Sequence, residues 1–294
     1  MTESTALPKP LWEAKALLGE GPIWDGRAGI LYWVDIKGRH LHQYRPSDGD
    51  RQSRPLAVEV GAVAPRARGG LIGATRDGFA EIDPDTGAIT ILADPESGLP
   101  DNRFNDGKCD PVGRFIAGSM DDQETSPSGS VYRLDADHRV TRLFGGYMVC
   151  NGPAFSPDGR ILYFSNSAER EILAFPYDPA AGEAGPPRVF ARIPDALGYP
   201  DGLNVDADGG LWCAHWDGWR LTRFRPDGTV DRTIEFPVPR VTSSTFGGPG
   251  LDRLYVTTAR IGLDDEALAR APLSGALFEV ETEFTGLPQA RFAG

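Results

Sequence analysis

The chain has 294 residues, of which 40% are hydrophobic, and it carries a formal net charge of −12. An acidic chain is a poor partner for nucleic acid or for an anionic membrane, whereas it accepts cations and neutral ligands. The hydrophobic fraction excludes a disordered polymer, and 36 Gly and 25 Pro residues indicate many turns. We therefore expect a folded, turn-rich protein whose partners include neither nucleic acid nor membrane.

The sequence carries no recognisable targeting segment. Residues 1–10 contain no basic stretch followed by an apolar one, and no apolar run approaches the roughly 18 residues that a membrane span needs. The three cysteines, Cys109, Cys150 and Cys213, are far apart and form no Cys-x-x-Cys pair. We expect reduced thiols buried in strands, and a monomeric, cytoplasmic protein.

A short apolar strand recurs along the chain at a spacing of roughly 45 residues. Each copy follows a turn rich in Gly, Asp or Pro, and a second apolar segment ending in another turn follows most copies. Helical periodicity is almost absent, except that residues 264–270 could form a short helix. The copies begin at Leu31, Leu71, Phe115, Leu162, Leu211 and Leu254.

A repeat of this length that holds several short strands is typical of a propeller blade. The six repeats fill the chain, so the sequence predicts an all-β fold: a single six-bladed β-propeller domain over residues 1–294, with a loose N-terminal segment over about residues 1–11. The alternative is an irregular β-sandwich. Sandwiches carry turn signals every roughly 8–12 residues but lack a long period, which favours the propeller.

A polar residue lies 10 or 11 positions before four of the six strand copies, and we call these positions the polar slots. The four residues are Glu20, Asn105, Asn151 and Asp201, while the second repeat has Gly61 and the sixth has Ser243 and Ser244 near the same offset. Because the innermost strands of a propeller line its channel, equivalent positions form a ring. Two carboxylates and two amide oxygens on one ring suit Ca²⁺, Mg²⁺ or Mn²⁺, and could also take Zn²⁺ or Fe²⁺.

The alternative for each slot is an ordinary turn. Asx-Gly and Gly-Pro pairs are common turn elements, and a single Asn-Gly is more often only a turn than a ligand site. Four polar slots in one register favour the metal site as a set, although the register itself depends on the propeller.

Several segments resemble the senescence marker protein-30/gluconolactonase/regucalcin family. The most specific is Arg-Phe-Asn-Asp-Gly-Lys at residues 103–108, and the others lie in the same order as in the family. These are residues 19–24, 117–120, 151–152, 200–202, 209–212 and 241–248. The resemblance implies a six-bladed propeller with one divalent cation in its channel. It also implies hydrolysis of aldonolactones, although relatives with this scaffold hydrolyse other esters or organophosphates, or handle calcium.

Matched residue by residue, the family's metal ligands fall on Glu20, Asn151 and Asp201. Its substrate-contacting residues fall on Arg103 and Asn105. A further family carboxylate follows the segment at residues 117–120. Ungapped matching puts Gln123 there, with Asp122 one residue earlier, so Asp122 is the candidate for this substrate contact.

These residues predict metal-dependent hydrolysis of a small-molecule sugar lactone to its aldonic acid, with the cation polarising the carbonyl. Asp201 is the candidate general base, although a purely structural ligand is an equal alternative. Arg103 would donate to sugar hydroxyls or to the ring oxygen, unless it is an ion-paired loop residue.

Other chemistries are less well supported. No Gly-x-Ser-x-Gly occurs, and none of the four histidines, His40, His42, His138 and His215, lies in a Ser or Cys motif. Residues 215–219 could line the channel mouth, but we interpret their aromatics as packed blade residues. A calcium-binding, phosphotriesterase-type or aryl-esterase-type propeller remains an alternative, as does a non-catalytic binding scaffold.

Overall fold

A computed structural model describes residues 7–294 of the chain. Its strands are β1 (Lys9–Trp12), β2 (Gly19–Asp25), β3 (Ile30–Asp35), β4 (His40–Arg45), β5 (Asp50–Pro55), β6 (Val60–Pro65), β7 (Leu71–Thr75), β8 (Gly78–Ile82), β9 (Ile89–Ala93), β10 (Asn102–Cys109), β11 (Phe115–Asp121), β12 (Gly129–Leu134), β13 (Val140–Tyr147), β14 (Cys150–Phe155), β15 (Ile161–Asn166), β16 (Glu171–Asp178), β17 (Glu183–Ala184), β18 (Arg188–Arg192), β19 (Tyr199–Val205), β20 (Leu211–Trp216), β21 (Arg220–Phe224), β22 (Val230–Glu235), β23 (Val241–Gly247), β24 (Arg253–Thr258) and β25 (Leu277–Glu281). A 3₁₀ turn spans Asp195–Leu197, and helix α1 spans Asp265–Arg270.

Within residues 7–294 these strands form six antiparallel sheets, and all but one are made only of strands that follow one another along the chain. The first strands of the sheets, β2, β6, β10, β14, β19 and β23, contact one another in that order, and β23 contacts β2 again. The sheets therefore surround a central channel as blades, numbered one to six from β2 to β23. The predicted six-bladed β-propeller is confirmed, and each recurring apolar strand is the second strand of its blade.

Blade six combines three strands near the C-terminal end of the chain with β1, which comes from its N-terminal part. Strand β1 pairs antiparallel with β25, so that residues 9–12 supply the outermost strand of the last blade. The loose segment predicted over about residues 1–11 thus includes residues that belong to a strand, while residues 1–6 lie outside the described part. Helix α1 agrees with the predicted short helix. Its N-cap residue Asp264 accepts a hydrogen bond from Ala267 N at 2.8 Å, as helix starts require.

The core lies between neighbouring blades. The second strands are buried along nearly their whole length, because one face packs on the preceding blade and the other on the following blade. Trp212 of blade five, for example, meets Phe246 of blade six edge-on, with ring centroids 6.0 Å apart. The three cysteines are buried and free, as predicted. None of the helices in residues 7–294 has the length and apolar character needed to cross a membrane.

Each innermost strand changes its pairing register with the second strand at the polar slot. The shifts follow Glu20 in β2, Phe104 in β10, Asn151 in β14 and Pro200 in β19, with equivalent shifts in β6 and β23. A bulge of this kind leaves a residue out of the ladder and re-aims its side chain. The glycine at the slot of blade two serves packing, since a Cβ on Gly61 would lie 2.6 Å from Asn105 O of the next blade.

Candidate active site

A cavity of about 460 Å³ lies at the end of the channel where the innermost strands begin. The structure brings five of the six sequence-predicted site residues to its wall. They are Glu20 from blade one, Arg103 and Asn105 from blade three, Asn151 from blade four and Asp201 from blade five. All five are buried. The propeller thus gathers residues 181 positions apart in the sequence, because equivalent positions of the innermost strands lie on one ring.

A chain of hydrogen bonds joins blades three, four and five beneath this cavity. Arg103 Nη1 donates to Asn105 Oδ1 at 2.8 Å, and Asn105 Nδ2 donates to Asn151 Oδ1 at 2.7 Å. Asn151 Nδ2 then donates to Ser167 Oγ at 2.9 Å, and Ser167 Oγ donates to Pro200 O at 2.7 Å. The chain ends at the peptide that precedes Asp201. It fixes the orientation of both amide side chains and leaves a second lone pair on Asn151 Oδ1.

Glu20 and Asp201 are buried carboxylates with few hydrogen bonds and, in the described part of the chain, no ion pair to stabilise their ionised form. Burial raises the pKa of each well above its ordinary value, and the negative charges of Asp201 and Asp106 raise that of Glu20 further. Glu20 Oε2 accepts only a 3.2 Å bond from Gly21 N, and for Asp201 the nearby backbone of Gly202 only partly opposes the rise in pKa. Within residues 7–294, no Lys, Arg or His nitrogen lies within 4.0 Å of either carboxylate. Two buried negative charges that face one cavity without a partner favour a cation between them.

The donor set fits a hard divalent cation. Glu20 and Asp201 offer carboxylate oxygens, and Asn151 offers an amide oxygen, which are the ligand types that Ca²⁺, Mg²⁺ and Mn²⁺ prefer. In the part of the chain that the structure describes, no three His, Cys, Asp or Glu side chains cluster as metal ligands. A metal here therefore depends on the amide as its third protein ligand, as the slots predict.

Asp122 occupies a different place from the one that the resemblance suggests. It is not in the cavity wall but behind Arg103, whose Nε donates to Asp122 Oδ1 at 2.6 Å. Lys37 Nζ lies 2.6 Å and Arg76 Nη1 3.2 Å from the same carboxylate. Although burial alone would raise the pKa of Asp122, the hydrogen bonds from Lys37 and Arg103 hold it well below its usual range. In this structure Asp122 orients Arg103 and does not reach the cavity.

Sequence reasoning missed a carboxylate two residues further on. Glu124 lines the cavity from the turn between β11 and β12; it and Gln123 are both exposed, and only Glu124 belongs to the cavity wall. Asp121 organises this turn, since its carboxylate accepts the backbone N–H groups of Gln123, Thr125 and Ser126. Glu124 itself has a left-handed φ of 54°. No periodic pattern marks this position, because it lies in a turn that local hydrogen bonds to Asp121 shape.

Two aromatic residues complete the wall on blade five. Tyr199 lies two positions before Asp201 on β19, and Trp216 ends β20. The interpretation of residues 215–219 as packed blade residues is incomplete for Trp216, which packs against buried core residues and also borders the cavity, and it is wrong for Trp219, which is 42% exposed. It is right for His215, which is fully buried. The two-residue period of a strand could have identified Tyr199 once Asp201 was known.

Comparisons with known proteins agree with this geometry. Residues 18–260 match the family model described as the SMP-30/gluconolactonase/LRE-like region. The chain is 40% identical over 291 residues to an L-arabinolactonase of Azospirillum brasilense, covering 97% of this chain and 95% of the relative. It is 38% identical over 285 residues to a 6-deoxy-6-sulfogluconolactonase of Pseudomonas putida, covering 95% and 96%.

Among solved structures, a calcium-binding protein, regucalcin, from Agrobacterium tumefaciens superposes with a TM-score of 0.94 at 33% identity. The match covers 98% of both chains. Sequence, fold and length thus agree over nearly the whole chain. The protein belongs to the SMP-30/gluconolactonase/LRE-like family.

Proposed function

We propose that this protein hydrolyses a sugar lactone to its aldonic acid with the aid of one divalent cation. The observation that carries the proposal is the pair of buried, unpaired carboxylates, Glu20 and Asp201, facing one cavity beside Arg103 and Asn105. Two relatives at 38–40% identity are named as lactonases that act on sugar-derived lactones, which supports this substrate class.

Glu20, Asn151 and Asp201 would hold the cation. When bound, it would supply a positive charge that polarises the lactone carbonyl and stabilises the oxyanion that develops there. It would also offset the two buried negative charges of the free protein. Ligand type alone does not choose among Ca²⁺, Mg²⁺, Mn²⁺, Zn²⁺ and Fe²⁺.

Asp201 is the proposed general base. Its carboxylate has no ion pair within residues 7–294, so it is available to accept a proton from the attacking water. As that water oxygen bonds to the carbonyl carbon, the ring C–O bond breaks. The proton passes to the departing ring oxygen, which becomes a hydroxyl group of the open-chain acid, and the water oxygen stays in the new carboxyl group.

Arg103 is the proposed substrate anchor. Asp122 holds its Nε, and Asn105 Oδ1 holds its Nη1, so the guanidinium plane is fixed from two sides. Within residues 7–294 its Nη2 group has no hydrogen-bond partner and remains available for a sugar hydroxyl or the ring oxygen. Asp122 would therefore affect the substrate through Arg103, as a positioning residue.

Calcium binding without catalysis is the second candidate, because the Agrobacterium structure is described as that of a calcium-binding protein. The same three ligands would serve it, so geometry does not separate the two functions. The lactonase proposal differs in requiring a water and a carbonyl beside Asp201, for which the cavity of about 460 Å³ has room.

A substrate panel tests the proposal. The purified protein, with its metal content measured, is assayed on five- and six-carbon aldonolactones, an aryl ester and an organophosphate, with each divalent cation and with chelator. We expect lactone hydrolysis that chelator removes and a divalent cation restores. Failure to hydrolyse any aldonolactone with any cation would overturn the lactonase, whereas chelator-resistant hydrolysis would overturn the metal.

A further inference from the structure

Tyr199 and Trp216 are neighbouring aromatic residues in the wall of the cavity. The two residues are direct cross-strand partners in the pairing of β19 with β20, and both line the cavity. Directly opposed residues of an antiparallel pair point to the same side of the sheet, with Cβ atoms about 5 Å apart. We call this pair the aromatic wall.

An arginine outside the cavity covers each ring of the aromatic wall. The guanidinium carbon of Arg170 lies 3.9 Å from the ring centroid of Tyr199, and that of Arg240 lies 4.6 Å from the ring centroid of Trp216. Neither arginine belongs to the cavity wall. Arg240 is fixed in turn by Asp217, whose Oδ1 accepts from its Nε at 2.8 Å. Each ring therefore has a cation over one face in addition to bordering the cavity, and Trp216 also packs against buried core residues.

The loop beside the wall is also fixed. His215 Nδ1 donates to Leu197 O at 2.8 Å, which ties β20 to the 3₁₀ turn before Tyr199. Gly198 has a left-handed φ of 76°, and a Cβ there would collide with Trp216 O, so only glycine lets this loop close against the wall. The aromatic wall is thus pre-organised, and a ligand that stacks on it loses little of its binding energy to ordering the protein.

The rest of the cavity decides what kind of ligand can use such a wall. Its lining has a polar part, which we call the polar base, with Arg103, Asn105 and the two carboxylates, and an apolar part that includes Leu18, Met120, Met148 and Val149. A flat hydrocarbon would leave the polar groups of the base without partners. A sugar ring presents hydroxyl groups at its edge and C–H bonds on its faces, so it can satisfy the base and the wall together.

We propose that Tyr199 and Trp216 form a stacking platform for the C–H face of the sugar-lactone ring and thereby determine substrate choice. The inference rests on the proposed function, because hydrolysis places the ring above Asp201. Hydroxylated lactones of five- or six-carbon aldonic acids use both the wall and the polar base. Unsubstituted lactones such as δ-valerolactone use only a part of the wall and none of the hydroxyl contacts.

Binding of a ring that cannot be hydrolysed tests the platform separately from catalysis. Calorimetry measures the affinity of D-glucono-δ-lactam, with cation present, for the wild type and for Trp216→Leu, Tyr199→Leu and Trp216→Phe. The matched control is Trp219→Leu, since Trp219 is three residues away, exposed, and absent from the cavity wall. We expect about tenfold weaker binding for either leucine variant of the wall, about twofold for Trp216→Phe, and no change for the control.

Kinetics give the second readout. Removing stacking that is equal in the ground and transition states raises KM and leaves kcat within about threefold, whereas a variant that distorts the site lowers kcat. If the wild type fails to bind the lactam, or if Trp216→Leu binds as tightly as the control, the platform is wrong. Wall-dependent lactam binding without hydrolysis of any lactone would keep the platform and overturn the lactonase. Lactone hydrolysis with the same KM in the wild type and in Trp216→Leu would keep the lactonase and overturn the platform.

Discussion

The two ends of strand β19 carry aspartates that share residue type and burial and differ in their partners. Asp206, directly after the strand, is fully buried and accepts Arg223 Nε at 2.7 Å, Trp212 Nε1 at 2.8 Å and Gly210 N at 2.8 Å. Asp201, at the other end, is also buried but has no ion pair within residues 7–294, and the backbone of Gly202 is the group that most favours its charged form.

This difference separates a structural carboxylate from a ligand-binding one. A buried charge that protein groups satisfy fixes the blade, and removing one partner leaves the other unpaired. A buried charge without a partner is unfavourable until something outside the chain supplies one. Burial alone does not distinguish Asp201 from Asp206. The number of hydrogen-bond partners of each carboxylate does.

The largest expected effect is on catalysis. Asp201→Asn removes both the proposed base and a charged ligand, so we expect kcat/KM on the best aldonolactone to fall by at least about 1,000-fold. Asp206→Asn, measured below its melting temperature with the same saturating cation, should stay within about threefold of the wild type. A folded Asp206→Asn protein as inactive as Asp201→Asn would end the distinction between the two aspartates.

The next effect is on folding stability. Here the Asp206 variant should show the large change and the Asp201 variant should not. Asp206→Ala leaves Arg223 with Asp231 as its remaining carboxylate partner, at 2.9 Å, so we expect a loss of about 3–4 kcal/mol in the free energy of unfolding. Urea titration measures it, and a further Arg223→Met change should recover part of the loss. In chelator, Asp201→Asn should cause no loss in the free energy of unfolding. Equal destabilisation by the two aspartate variants would contradict the assignment.

Cation binding should reverse which protein is more stable, the wild type or Asp201→Asn. Burial raises the pKa of Asp201, so the folded state disfavours its charged form, and this penalty grows as pH rises above the unfolded value of about 3.9. In chelator at neutral pH, Asp201→Asn should therefore melt above the wild type. A cation at about 100 times its Kd adds about 2.7 kcal/mol to the wild type, which should then melt above the variant. Melting curves that cation leaves unchanged would count against the site.

The fold followed from the sequence because its signal is repeated six times. The spacing of strands that begin at residues such as Leu31 and Leu162 requires blades, and blades bring equivalent positions together. That same register identified Glu20, Asn151 and Asp201 as neighbours on one cavity. The bulges that aim these side chains were not predicted, since a one-residue irregularity leaves the hydrophobic pattern almost unchanged.

The remaining site residues depend on contacts that have no period. Asp122 and Glu124 lie in one turn, yet Asp122 pairs with Arg103 while Glu124 faces the cavity. A shift of one or two residues in the alignment decides whether a carboxylate pairs with Arg103 or faces the cavity. Matching the sequence to a family pattern does not resolve such a small shift. Trp216 resembles a packed blade aromatic in sequence, because the same residue type serves both roles. Only its cross-strand neighbour Tyr199 and the cavity reveal the difference.

The smallest expected effect is a dependence of stability on pH at the Asp201 end. His215 pairs across the ladder with Pro200, and burial lowers its pKa to about 4. The unfolded value is about 6.5, so the unfolded chain binds the proton more readily, and stability falls as pH drops from about 6.5 to about 4. At about pH 5 this amounts to about 2 kcal/mol relative to about pH 8. The folded protein at neutral pH therefore uses the neutral ring, whose Nδ1–H bonds Leu197 O.

His215→Gln removes the titration and can keep a donor toward Leu197. At about pH 8 the variant should be less stable than the wild type, because glutamine fills the buried site less well. The gap should narrow by about 2 kcal/mol as pH falls to about 5, since only the wild type gains a proton on unfolding. Denaturant midpoints at the two pH values measure this in chelator, where Asp201 affects both proteins alike. Parallel stability curves would mean that the His215 ring is accessible to protons in the folded state. The tie between β20 and the loop before Tyr199 would then open without unfolding, and the rigidity of the aromatic wall would lose its basis.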